Sequence, residues 1–101
     1  MAARIESSGD IEIICQADDL SAGKTARLVF RAWDETKPPF TVKVIDPTGK
    51  SVLERVLREL PTGKPQSAPP VTFSVTVSGQ YAISIRELYG KLEGEATLTI
   101  P

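Results

Sequence analysis

The chain is predicted to fold as an all-β, two-layer antiparallel sandwich of about seven strands. Three observations predict it. Residues 71–85, VTFSVTVSGQYAISI, alternate apolar and polar side chains with a period of two on both sides of a Ser78-Gly79 break, which is the periodicity of strand and not of helix. Shorter alternating runs recur along the chain, about 8–12 residues apart with turn residues between them, as a sandwich requires. No strand–helix repeat and no glycine-rich loop ahead of a helix is present, so a doubly wound α/β fold is excluded.

Each element follows from its own residues. Residues 1–9 are mostly polar and are expected to form a flexible N-terminal arm, pinned at most by Ile5; residues 10–101 are expected to form the single domain. Residues 10–16, DIEIICQ, set Ile11, Ile13 and Cys15 on one face and Ile14 on the other. The connection that follows contains Asp18 and Asp19 and ends at Gly23. An adjacent aspartate pair without further patterned oxygen ligands reads as a solvated turn and not as a calcium loop. Residues 24–33, KTARLVFRAW, direct Ala26, Leu28, Phe30 and Ala32 inward and Arg27, Val29 and Arg31 outward. Residues 40–45, FTVKVI, direct Phe40, Val42 and Val44 inward and Thr41 and Lys43 outward. Asp46-Pro47-Thr48-Gly49 is a turn signal: the carboxylate accepts turn amides, proline presets φ, and glycine takes the exit conformation.

Residues 51–60, SVLERVLREL, support two readings. On a helix, Val52, Leu53, Val56, Leu57 and Leu60 gather on one side and the charged residues on the other; Ser51 and Glu54 have capping-box spacing and Pro61 is a stop. Local pattern therefore favours a short helix. An apolar run directly after a tight turn is, on the other hand, the return strand of a hairpin, and tertiary context overrides local preference. Residues 61–70, rich in Pro and Gly, carry the chain between sheets or along an edge. In residues 71–78, Phe73, Val75 and Val77 face one way; after the break Tyr81, Ile83 and Ile85 continue the inward set. Residues 87–94 form a polar turn, and residues 95–100, EATLTI, close the chain with Ala96, Leu98 and Ile100 inward. The expected core is thus built on Leu28, Phe30, Val42, Val44, Phe73, Val75, Tyr81, Ile83 and Leu98.

Gly79-Gln80-Tyr81-Ala82-Ile83 resembles the tyrosine-corner stretch of immunoglobulin-like and fibronectin type III sandwiches. The resemblance implies a Tyr81 ring inside the core with its hydroxyl bonded to nearby backbone. Ile83 stands where an immunoglobulin domain carries its second disulfide cysteine, so the likeness is to the disulfide-free branch. More weakly, Leu20-Ser21-Ala22-Gly23, the stretch from Val42 to Gly49 (V-x-V-x-D-P-x-G) and the stretch from Phe73 to Ile83 resemble the bacterial pre-peptidase C-terminal and the Golgi-dynamics types of sandwich. These resemblances imply an immunoglobulin-like or jelly-roll-like topology and a module that binds proteins, glycans or cargo, or acts as a spacer. They imply no catalytic residue.

Composition narrows the function classes. The chain has 101 residues, 41% hydrophobic and 25% charged, with a formal net charge of -1. That balance offers no general attraction for nucleic acid. There is no histidine, which removes Ser-His-Asp and Cys-His nucleophiles and the commonest zinc ligand. One cysteine permits no intrachain disulfide and favours a reducing, cytoplasmic compartment. The first residues lack the apolar core of a signal peptide, and no run is long enough to span a bilayer as a helix. The expectation is therefore a non-enzyme without metal or cofactor, and without membrane insertion.

Contact chemistry remains. Trp33, the only tryptophan, falls outside strict alternation, near Pro38, Pro39 and Phe40 in the 33–40 loop. Arg27, Arg31 and Lys43, with Val29 among them, are expected to form a basic, partly apolar stripe on the outer face of one sheet. Trp33, Phe40, Arg27, Val29, Arg31, Lys43 and Tyr89 are the candidate contact residues. They point to a protein-interaction or structural module that binds a protein partner or parent assembly through a sheet edge, an outer face or the Trp33 loop. The alternative is a glycan- or small-ligand-binding module that uses Trp33 and Tyr89 as exposed aromatics.

Overall fold

A computed structural model describes residues 2–16 and 20–101. It contains eight strands: β1 (Arg4–Gly9), β2 (Ile11–Cys15), β3 (Thr25–Ala32), β4 (Phe40–Ile45), β5 (Ser51–Leu57), β6 (Val71–Ser74), β7 (Gly79–Glu87) and β8 (Glu93–Ile100). They form a five-stranded sheet, in the order β1-β8-β7-β4-β5, and a three-stranded sheet, in the order β2-β3-β6. All pairings are antiparallel. The two inner faces meet as an all-β, two-layer sandwich, and there are no helices among the described residues.

The alternation seen in the sequence becomes the core. In β7, Tyr81, Ile83 and Ile85 are buried and Gln80, Ala82, Ser84 and Arg86 are exposed. Leu28 and Phe30 of β3, Val42 and Val44 of β4, Phe73 of β6, and Leu98 of β8 face the same interior, together with Val75 beyond the end of β6. The Phe73 and Tyr81 rings lie 5.8 Å apart at a tilt of 41°, a favourable offset geometry that links the two sheets. Burial of these side chains is the main force holding the layers together, at about 1.5–3 kcal/mol each.

The helix reading of residues 51–60 is overturned: residues 51–57 are β5, the edge strand beside β4. Pairing with β4 supplies a hydrogen-bond ladder that an isolated short helix cannot match. The misleading pattern has a local cause. Val44 pairs with Leu53 and Ile45 with Ser51, so a bulge leaves Val52 as an extra residue. The bulge breaks the two-residue phase and sets Val52 and Leu53, both half-buried, in sequence as if on one helix face.

Residues 4–9, expected in a flexible arm, form β1 instead. Ile5 pairs with Leu98 and packs against the core, while the Ser7 hydroxyl accepts the Ile13 N–H at 2.9 Å. The chain then crosses from one sheet to the other at Gly9-Asp10. The crossing is tight: a Cβ on Gly94, the residue opposite Gly9, would lie 1.9 Å from the Ile11 carbonyl oxygen. Val77 also departs from expectation, being 39% exposed. Strand β6 ends at Ser74, and the Tyr81 hydroxyl holds the main chain of Thr76 and Val77 out of the strand path. At the other reversal, Asp46 Oδ1 accepts the Thr48 N–H and hydroxyl and the Lys50 N–H, as its turn signal implies. The Thr48 hydroxyl, then the Lys50 and Thr48 amides and the nearby Lys50 charge, hold this carboxyl below its ordinary range against the opposing effect of burial.

Candidate functional site

One end of the sandwich gathers the segment between β3 and β4, the end of β5, and the segment between β7 and β8. Between them lies an open groove of about 440 Å³ lined by Pro38, Pro39, Val56, Arg58, Leu88 and Tyr89. Its walls are mostly apolar and wet. Val56 is 57% exposed, Leu88 39% and Tyr89 85%, and these are three of the five large hydrophobic residues that the described surface leaves exposed. Scattered exposed apolar residues are ordinary, whereas convergence from three chain segments is not. Arg58 is the one charged residue of the lining among the described residues.

Glu87 builds the groove. It continues the inward row of Tyr81, Ile83 and Ile85 and is only 5% exposed. Its Oε1 accepts the N–H groups of Lys91 and Leu92, at 3.1 and 3.0 Å. Its Oε2 accepts the N–H of Lys37, from the opposite wall. One residue on, the Leu88 N–H donates to the Pro39 carbonyl at 2.9 Å. The two loops are therefore tied to each other directly beneath the groove. The Leu92 N–H, followed by that of Lys37 and then of Lys91, holds the Glu87 carboxyl below the usual carboxylate range, with the Lys37 charge adding and burial opposing. A carboxylate satisfied by three amides is a structural anchor. Gly90 completes the turn, because a Cβ there would fall 2.2 Å from Glu87 Oε1.

The sequence-based contact residues are distributed differently from expectation. Tyr89 lies in the groove, with Pro38 and Pro39 opposite. Trp33 is 65% exposed but is not part of the lining; the Arg31 guanidinium sits 5.1 Å from its ring centroid. Phe40 is fully buried at the start of β4 and is a core residue, not a contact. The basic stripe does not exist as a unit. Arg27 and Arg31 are on β3 in the three-stranded sheet, and Lys43 is on β4 in the five-stranded sheet, so the outer faces concerned are opposite sides of the sandwich. Val29 lies on the outer face of β3 as expected, yet is 5% exposed. Residues of the 61–70 connector cover it: Phe30 N–H bonds the Pro61 carbonyl at 2.8 Å, and a Cβ at Gly63 would approach Val29 Cγ1 to 3.6 Å.

Val56, Arg58 and Leu88 were missed by sequence reasoning. The first two belonged to the helix reading of residues 51–60, and Leu88 to a turn treated as polar. The usable signal was parity: Glu87 falls on the inward row of β7, which marks it as a buried anchor and the residues after it as a shaped loop. No group of three or more potential metal ligands converges among the described residues. Asp18 and Asp19, considered for calcium, lie outside the described residues.

The fold and the groove define an all-β sandwich with an apolar recess at one pole. Comparison with known proteins goes no further: no family model, curated protein or solved structure matches the chain.

Proposed function

We propose that the chain is a non-catalytic protein-interaction module whose contact site is the groove between Pro38-Pro39 and Tyr89. The observation that carries this reading is the convergence of Val56, Leu88 and Tyr89, all exposed, in one groove whose walls are fastened by Glu87. A prefastened apolar recess loses little entropy on binding. Its chemistry suits a protein segment that offers apolar side chains and one carboxylate for Arg58. The buried carboxylates, Asp46 and Glu87, are engaged by turn amides and suited to shaping loops, which supports a role without proton transfer. The glycan alternative is less well supported, because the groove holds a single aromatic ring and Trp33 is engaged by Arg31 outside it.

The same reading places the module in the immunoglobulin-like and fibronectin type III group. Tyr81 supports this through its hydroxyl bonds to Thr76 and Val77. So does the topology: apart from β1, the first, second and fifth strands share one sheet. The fourth strand stays beside the third, unlike the constant-type arrangement in which it joins the other sheet.

The test is a photo-crosslinking residue at position 89, with position 80 on the outer face of β7 as control, in the native host. The expected result is a discrete adduct at 89 that disappears when Val56→Asp or Leu88→Ser is added. Equal labelling from 80 and 89, or none from 89, overturns the groove as contact site.

A further inference from the structure

We infer that β5 pairs antiparallel with β5 of a second copy of this chain, about a two-fold axis at Val56, to join the five-stranded sheets of two molecules. The inference rests on the interaction-module reading and names the partner at the Val56 wall.

Three observations carry it. First, β5 is an edge strand with β4 on one side and, among the described residues, no strand on the other, so a row of main-chain donors and acceptors is open to a further strand. Second, the bulge opposite Val44/Ile45 bends the start of β5 and confines regular pairing to its second half. Val56 lies there and is 57% exposed on the outer face, in line with Thr41.

Third, the charges are self-complementary when the pair is centred on Val56. A two-fold antiparallel pair must set residues of equal parity opposite each other. Centred on Val56, the pairing opposes Val56 to Val56, and Glu54 to Arg58, the residue directly after β5, twice over. Arg55 then faces Leu57 of the other copy. Centring on Glu54 or on Arg55 instead sets two like charges face to face, which is destabilising. Glu54, Arg55 and Arg58 are all exposed, and none forms an ion pair within the chain among the described residues, where Arg4–Glu6 is the pair found. Joining the sheets also brings the two grooves, which share Val56 and Arg58 in their lining, to either side of the axis.

Sedimentation equilibrium on the purified chain, from micromolar to millimolar concentration, tests the pairing. The wild type is expected to show a monomer–dimer equilibrium. Glu54→Arg opposes Arg to Arg58 twice and is expected to weaken the dimer about tenfold or more. Glu54→Arg with Arg58→Glu restores the opposition of unlike charges and is expected to recover dimerisation, which also rules out misfolding as the cause of the single variant's effect. A dimer indifferent to both variants overturns the inference. So does a monomer at every concentration. If that monomer still gives the position-89 adduct with a different protein, the interaction reading stands and self-pairing alone falls; if it gives no adduct, both fall.

Discussion

The Tyr81 hydroxyl donates to the Val77 carbonyl at 2.8 Å and accepts the Val77 N–H at 3.2 Å, so one side chain satisfies both main-chain groups of one residue. It also accepts the Thr76 N–H. The ring itself is fully buried. Tyr81 thus holds the core with its ring and the β6–β7 connection with its oxygen. The two roles are separable. Tyr81→Phe keeps the ring and strands the main-chain groups, and is expected to cost about 1–3 kcal/mol. Tyr81→Ala is expected to cost about 3–5 kcal/mol, as is Phe73→Ala. Urea denaturation of the three variants checks the ordering, and a Tyr81→Phe variant as stable as wild type contradicts it.

Glu87 predicts an acid-sensitive groove. Its folded-state pKa lies below the ordinary 4.5, so the unfolded chain binds more protons in that range. The stabilisation is therefore complete above the ordinary value and is lost as pH falls through the depressed one. Glu87→Gln is expected to be less stable than wild type at neutral pH, with the gap closing on acidification. Denaturation midpoints of both proteins measured from neutral to acid pH check this; parallel curves throughout show that Glu87 does not carry the effect.

Gly94 and Gly23 are expected to respond differently to alanine. At Gly94 the new Cβ would meet the Ile11 carbonyl where the chain changes sheets, and about 3 kcal/mol or more should be lost. At Gly23 there is open space but φ is +94°, so the cost is conformational and about 1 kcal/mol. Thermal unfolding of the two variants gives the comparison, and equal losses contradict the close approach at Gly94.

Trp33 is a surface reporter. At 65% exposure its native emission should already be that of a solvated indole, readily quenched by acrylamide and little shifted on unfolding. Far-ultraviolet circular dichroism will follow the core where Trp33 does not. Arg31→Ala should raise quenching further and cost at most about 1 kcal/mol. A blue-shifted, protected native emission contradicts the exposed placement.

Much of the fold was legible because burial on one face writes a period of two into β3, β4, β7 and β8 and into β6 as far as Val75. The nine expected core side chains are all buried for that reason. Strand β1 was illegible because its tie to β8 is made by main chain, while its side chains apart from Ile5 are exposed. Strand β5 was obscured by its bulge and by its place at an edge, where Leu53 and Leu57 are half-buried while Arg55 is exposed. The candidate site was legible only as fragments, Pro38-Pro39 and Tyr89. Their meeting depends on long-range bonds from Glu87 and Leu88, and local sequence does not report those. Val29 shows the same limit: its parity is outward, yet a segment more than thirty residues away covers it.

Strand β1 runs beside β8 with Arg4 opposite Thr99, and Ser78 Oγ donates to the Pro101 carbonyl nearby. The two ends of the described chain therefore emerge together, at the pole of the Asp46 turn and away from the groove. Tension applied between them would load the β1–β8 ladder one hydrogen bond at a time, as a zipper is opened, and not all at once in shear. A sandwich wired this way is expected to yield early under a force applied between these two ends.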